Sequence, residues 1–185
     1  MLRFSNLPNV ITIARVALAP LVAMLIMSAQ WGEALACFLA AGISDGLDGR
    51  IARKYGLETA FGAMLDPIAD KTLMILVTWT LTMMGVLPLW FALLVTARDV
   101  AILLGAALTQ RRAADGSASR IRPLLISKAN TAAQIVLFCG ILAAKAFNWP
   151  LQPWLVPALI AAAALSAASF AAYVQRALRG EDVGA

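Results

Sequence analysis

Histidine is absent from the 185 residues. Acid–base chemistry near neutral pH therefore cannot rest on imidazole, and carboxylates become the leading candidates for that work. Cysteine is scarce too. Cys37 and Cys139 sit inside apolar runs, without the spacing of a metal-ligand cluster or a disulfide framework, and read as small core residues. Charged residues make up only 14% of the chain against 62% hydrophobic. A soluble domain of this size has too little interior to hide that much apolar surface, so most of it must face lipid. Repeats and low-complexity segments are missing apart from alanine-rich 161–164, which reads as close helix packing.

What is present is a series of long apolar stretches. At about 20 residues per span they predict six helices, over 10–29, 33–54, 59–84, 88–108, 127–147 and 154–178. The expected fold is all-α integral membrane, one domain over 1–185, with six transmembrane helices in one bundle. Residues 1–7, with Leu2, Phe4 and Leu7 flanking Arg3 and Asn6, suit a short interfacial segment, and 179–185 a short polar tail. The N-terminus superficially resembles a signal peptide. Arg15 interrupts its apolar run and further hydrophobic segments follow, so it reads as a retained first span.

Charge sets the orientation. With the N-terminus cytoplasmic, the cytoplasmic side carries Arg3, Arg50, Arg53, Lys54, Arg111, Arg112, Arg120, Arg122, Lys128, Arg176 and Arg179, while the opposite side has only Lys145. That asymmetry places both termini in the cytoplasm. Arg15, Lys71 and Arg98 lie inside spans. The longest connection, 110–126, is basic enough to be held near anionic headgroups without any catalytic role.

The acidic residues divide in two. Glu33, Glu58, Asp115, Glu181 and Asp182 fall in connections or the tail, whereas Asp45, Asp48, Asp66, Asp70 and Asp99 lie within spans. Each ionised group there costs at least a few kcal/mol, so the cluster from Asp45 to Asp70 asks for a compensating ligand. Asp45, Asp48, Gly49 and Ala52 stand at i, i+3, i+4 and i+7, on one face of the second span. Gly62, Asp66 and Asp70 stand at i, i+4 and i+8, on one face of the third. The short turn around Tyr55-Gly56-Leu57-Glu58 makes these spans antiparallel neighbours, with Asp48 level with Asp66 and Asp45 roughly level with Asp70. If the acidic faces meet, the carboxylates form an oxygen-only cage open to the cytoplasm. It suits Mg²⁺ or Mn²⁺ better than zinc, and has charge enough for two divalent ions holding a pyrophosphate. An ion pathway in a divalent-ion transporter is a distant alternative. A pathway needs polar groups continuing to the far side, where these spans offer only Thr78, Thr80 and Thr82. Gly42 and Gly46, four apart, read as an ordinary helix-packing pair.

The run Asp45-Gly-Leu-Asp48-Gly49-Arg-Ile-Ala52-Arg53, then Gly62, Asp66 and Asp70 at fixed offsets, resembles in full the signature of the CDP-alcohol phosphotransferase family. The six-span layout is similar as well, so the resemblance covers nearly the whole chain. It implies that Asp45, Asp48 and Asp66 are metal ligands, joined by Asp70, which is also the catalytic base for the acceptor hydroxyl. Asp45, Asp48, Gly49, Ala52, Arg53 and Gly62 would bind the CDP moiety, the small residues leaving room for the nucleotide and Arg53 offering a bidentate fork to phosphate. Outside the signature, Asn6-Leu-Pro-Asn9-Val-Ile-Thr12 with Arg15, Ala97-Arg98-Asp99-Val100, and Ile126-Ser127-Lys128-Ala-Asn130-Thr131-Ala-Ala-Gln134 resemble the cardiolipin synthases of the family. The phosphatidylglycerophosphate synthases usually follow the fourth-span Arg with Glu and a Ser-Gly-Leu-Arg-like run, which this chain lacks.

The resemblance thus implies transfer of a phosphatidyl group from CDP-diacylglycerol to phosphatidylglycerol, giving cardiolipin and CMP, with glycerol 3-phosphate as the alternative acceptor. Both acceptors carry a phosphate, for which Arg98, Arg122 and Lys128 would form a cradle. Arg98 and Asp99 have a competing reading as a structural ion pair with neighbouring helices, and Lys71 one as a local counter-charge that snorkels. A homodimer in the bacterial cytoplasmic membrane is implied, and no nucleic-acid partner.

Overall fold

In an apolar solvent every backbone amide must find its partner within its own segment, and Ala-, Leu- and Val-rich runs do so as helices. The computed structural model describes the backbone of residues 7–55, 60–114 and 125–179, and the side chains of 17–44, 71–105 and 126–175. It contains α1 (Leu7–Met27), α2 (Trp31–Tyr55), α3 (Ala60–Met83), α4 (Leu89–Ala114), α5 (Leu125–Ala146) and α6 (Leu155–Arg179). Each expected span falls on one helix. The main departure is α4, which runs on to Ala114 where a span ending at 108 was expected. Gln110-Arg111-Arg112-Ala113-Ala114 are good helix formers, so the helix outlasts its apolar stretch. The expected interfacial segment at 1–7 lies outside the described residues except for Leu7.

Three helices end in the same way. Ala29, Gly85 and Asn148 take left-handed φ values of 56°, 69° and 53°. The following amides of Gln30, Val86 and Trp149 donate back to the carbonyls of Leu25, Leu81 and Ala144 at 2.9, 2.9 and 2.7 Å. This Schellman closure satisfies carbonyls that a helix terminus leaves open.

The chain divides into two units, 1–87 with 139–150, and 88–138 with 151–185. In the first, α1 packs on both α2 and α3. Its core is read at helical spacing from Ala19, Val22, Ala23 and Ile26 on α1, Ala34, Phe38 and Ala41 on α2, and Leu73, Met74, Val77 and Leu81 on α3. The Lys145 ammonium stands 5.6 Å from the Trp31 ring centroid in the same unit.

In the second unit α4 packs on α6. Their approach is close at Gly105, where an added Cβ would overlap the Tyr173 phenol. Buried here are apolar residues such as Phe91, Ala92, Val95, Phe138, Leu159 and Ala162 together with a polar group of Arg98, Asp99, Asn130, Gln134, Ser166 and Ser169, while Leu104, Val136 and Ile160 are exposed. A polar cluster held inside, with large apolar side chains left exposed, is the pattern expected of a lipid-facing bundle. Among the described residues two stretches, Ile126–Ala146 and Leu155–Gln175, are long and apolar enough to cross a membrane. Ala17–Met27, Trp31–Ser44 and Lys71–Met83 are shorter apolar helices.

Candidate active site

The specified positions of the signature rest on helical backbone. Asp45, Asp48, Gly49, Ala52 and Arg53 all fall within α2, and Gly62, Asp66 and Asp70 within α3. The α2 backbone stays helical through Gly46 and Gly49, so the i, i+3, i+4 and i+7 register holds over those positions. Both helices share α1 as a packing partner. The side chains of all eight positions, and the expected levelling of Asp48 with Asp66 and of Asp45 with Asp70, lie outside the described residues. Among the described residues no three His, Cys, Asp or Glu side chains gather as metal ligands. The donor set at the signature is oxygen-only, on two helices packed against a third, and in its chemistry it fits a hard divalent cation.

The three acceptor-phosphate candidates come out differently. Arg122 lies outside the described residues. Lys128, on the first turn of α5, is exposed. Arg98 is fully buried at 0% exposure, as is Asp99 beside it. All three guanidinium nitrogens of Arg98 are engaged. Nη1 donates to Asp99 Oδ1 at 2.5 Å. Nη2 donates to Ser127 Oγ at 2.6 Å, to the Ser127 carbonyl at 3.3 Å and to Ser169 Oγ at 3.0 Å. Nε donates to Ser169 Oγ at 3.3 Å. One side chain thus ties α4 to α5 and α6, the arrangement of the structural ion-pair reading.

A second polar contact lies deeper along α5. Ser166 Oγ donates to Asn130 Oδ1 at 2.8 Å and accepts from Gln134 Nε2 at 3.4 Å. All three residues are fully buried, and Asn130 Nδ2 and Gln134 Oε1 have no protein partner. Sequence reasoning singled out Asn130 and Gln134 but missed Ser166 and Ser169. The available clue was two serines three apart in an alanine-rich helix, which puts both on one face.

Comparison with known proteins bears directly on the signature. The family model for CDP-alcohol phosphatidyltransferase matches residues 5–174. The chain is 32% identical over 157 residues to "Cardiolipin synthase (CMP-forming)" of Rattus norvegicus, covering 78% of this chain and 52% of that protein. It is 41% identical over 145 residues to a "Cardiolipin synthase (CMP-forming) / mitochondrial hydrolase fusion protein" of Schizosaccharomyces pombe, covering 71% and 24%. It is 33% identical over 161 residues to "CDP-diacylglycerol--glycerol-3-phosphate 3-phosphatidyltransferase 1, chloroplastic" of Oryza sativa subsp. japonica, covering 79% and 49%. The chain therefore spans about half the length, or less, of these curated relatives. With the match running through all six helices and across the aspartate signature on α2 and α3, the chain belongs to the CDP-alcohol phosphatidyltransferase family.

Proposed function

We propose that the protein transfers a phosphatidyl group from CDP-diacylglycerol to the free hydroxyl of phosphatidylglycerol, releasing CMP and forming cardiolipin. The observation that carries this reading is the complete signature, set at unbroken helical register on α2 and α3 of a chain in this family.

In this reading the acceptor oxygen attacks the phosphorus that bears diacylglycerol. The bond from that phosphorus to the CMP oxygen breaks, and CMP leaves with the electron pair. Asp70 takes the hydroxyl proton. Gly49, Ala52 and Gly62 leave space for the nucleotide, and Arg53 holds a phosphate. Asp45, Asp48, Asp66 and Asp70 would hold one or two divalent ions, Mg²⁺ or Mn²⁺, whose charge when bound neutralises the diphosphate. Lys128 and Arg122 would receive the phosphate of the acceptor.

Relatives named for both acceptors match at similar identity. The choice of phosphatidylglycerol rests on the fourth-span Ala97-Arg98-Asp99 and on the opening of α5, both of cardiolipin synthase type. Glycerol 3-phosphate is the second reading. The cation asymmetry supports six spans with the site open to the cytoplasm of a bacterial membrane, and the family resemblance supports a homodimer.

The deciding assay supplies purified protein with CDP-diacylglycerol, Mg²⁺ and each acceptor in turn. Phosphatidylglycerol should yield cardiolipin and CMP, glycerol 3-phosphate little product, and excess chelator should abolish both. Faster turnover of glycerol 3-phosphate would transfer the assignment to the second reading. Full turnover in chelator would remove the metal.

A further inference from the structure

A buried arginine in an apolar bundle is costly unless its charge and donors are met, and in this protein they are met by groups from three helices. Asp99 neutralises the charge, and Ser127 and Ser169 take the rest of the fork. Both groups of Ser127 are used, its hydroxyl and its carbonyl. The same carbonyl accepts from Thr131 Oγ1 at 3.2 Å. Ser127 stands in the first turn of α5, where a helix start leaves backbone groups without partners inside the helix. The next residue is Lys128, which is exposed, while the guanidinium itself is sealed at 0% exposure.

We infer that Arg98 is a positioning residue: through Ser127 it fixes the first turn of α5 and so places Lys128 for the phosphate of the acceptor. This rests on the acceptor reading above. It gives Arg98 a task other than touching that phosphate, and explains why the residue is arginine. Lysine would keep the charge beside Asp99 but has no planar fork to reach Ser127 and Ser169 together. Loss of the tie loosens the turn without removing any group of the signature on α2 and α3.

The test uses the full chain in detergent or liposomes. Ser127→Ala deletes one hydroxyl and is a milder change than replacing Arg98, which would leave Asp99 buried beside a vacated guanidinium. Hydrogen exchange of the amides of residues 125–131 should quicken about tenfold in Ser127→Ala, the loss of one charge-assisted hydrogen bond, with α1 to α3 unchanged. In kinetics the acceptor KM should rise by a similar factor, with kcat and the KM for CDP-diacylglycerol near wild type. Lys128→Gln should raise the acceptor KM as well, and the double variant should be no worse than Lys128→Gln alone. Unchanged exchange at 125–131 would overturn the inference. So would multiplying KM effects in the double variant, or an acceptor KM that ignores Lys128→Gln. If the wild-type protein turned over neither acceptor, the proposed function would fail instead, and the exchange arm would still decide the tie.

Discussion

Asp70 and Asp48 are the same side chain asked to do two things. In the proposed reaction Asp70 receives a proton, so what matters is that it can be protonated. In the same proposal Asp48 would hold a cation, so what matters is its charge. Asparagine keeps the size and hydrogen-bonding capacity of either one but offers neither. Asp70→Asn should lower turnover by about 10²–10⁴, the usual worth of a positioned base, with CDP-diacylglycerol affinity changed far less. Asp48→Asn should weaken metal binding itself, because a carboxylate ligand is gone. Turnover and CDP-lipid affinity at several Mg²⁺ concentrations separate the two. If raising Mg²⁺ brings Asp70→Asn close to wild-type turnover, Asp70 is chiefly a ligand and the base lies elsewhere. These aspartates stand out in the sequence as candidates because an acid in an apolar helix is expensive and so conspicuous. Ser166 and Ser169 were not, since a serine costs a helix little and looks like packing among alanines.

The seam between α5 and α6 shows how unequal the members of one polar contact can be. Ser166 serves two partners, donating to Asn130 and accepting from Gln134. Ser166→Ala deprives both of them at once in a dry interior and should cost about 1–3 kcal/mol. Gln134→Met keeps the shape, gives up only the 3.4 Å bond, and removes a buried Oε1 that has no protein partner. It should lie within about 1 kcal/mol of wild type or be stabilising. Thermal unfolding of the two variants in one detergent makes the comparison. Equal losses would show that shape, and not hydrogen bonding, governs this seam. At the scale of elements, hydropathy announced every helix but misjudged the end of α4. Past the apolar stretch, the good helix formers Gln110 to Ala114 continue the helix. The Arg98 tie was legible only as one of two alternatives, because its serines come from α5 and α6, far away in the chain.

Across the whole molecule, alternate connections along the chain differ in chemistry. The connections after α1, α3 and α5 are short and close in left-handed turns at Ala29, Gly85 and Asn148. In the sequence the tryptophans flank these connections: Trp31 opens α2, Trp79 approaches the end of α3, Trp90 begins α4, and Trp149 and Trp154 lie between α5 and α6. Trp90 and Trp149 are more than half exposed, and Lys145 sits over Trp31. Aromatic rings of this kind settle at a membrane interface, and scarce cations mark the side away from the cytoplasm. The basic residues Arg111, Arg112, Arg120 and Arg122 cluster around the connection from α4 to α5 instead. Six spans therefore require that connection and the α5–α6 connection to lie on opposite faces. Single cysteines at Ser117 and Gln152, in a Cys37→Ala, Cys139→Ala background, test this in sealed vesicles of known orientation. Gln152 is exposed, whereas a cysteine at the equally exposed Asn148 would be strained at its left-handed φ. A membrane-impermeant maleimide should reach Ser117→Cys only from the cytoplasmic face and Gln152→Cys only from the other. Labelling of both from one face would show that α5 does not cross and would overturn the proposed six-span topology.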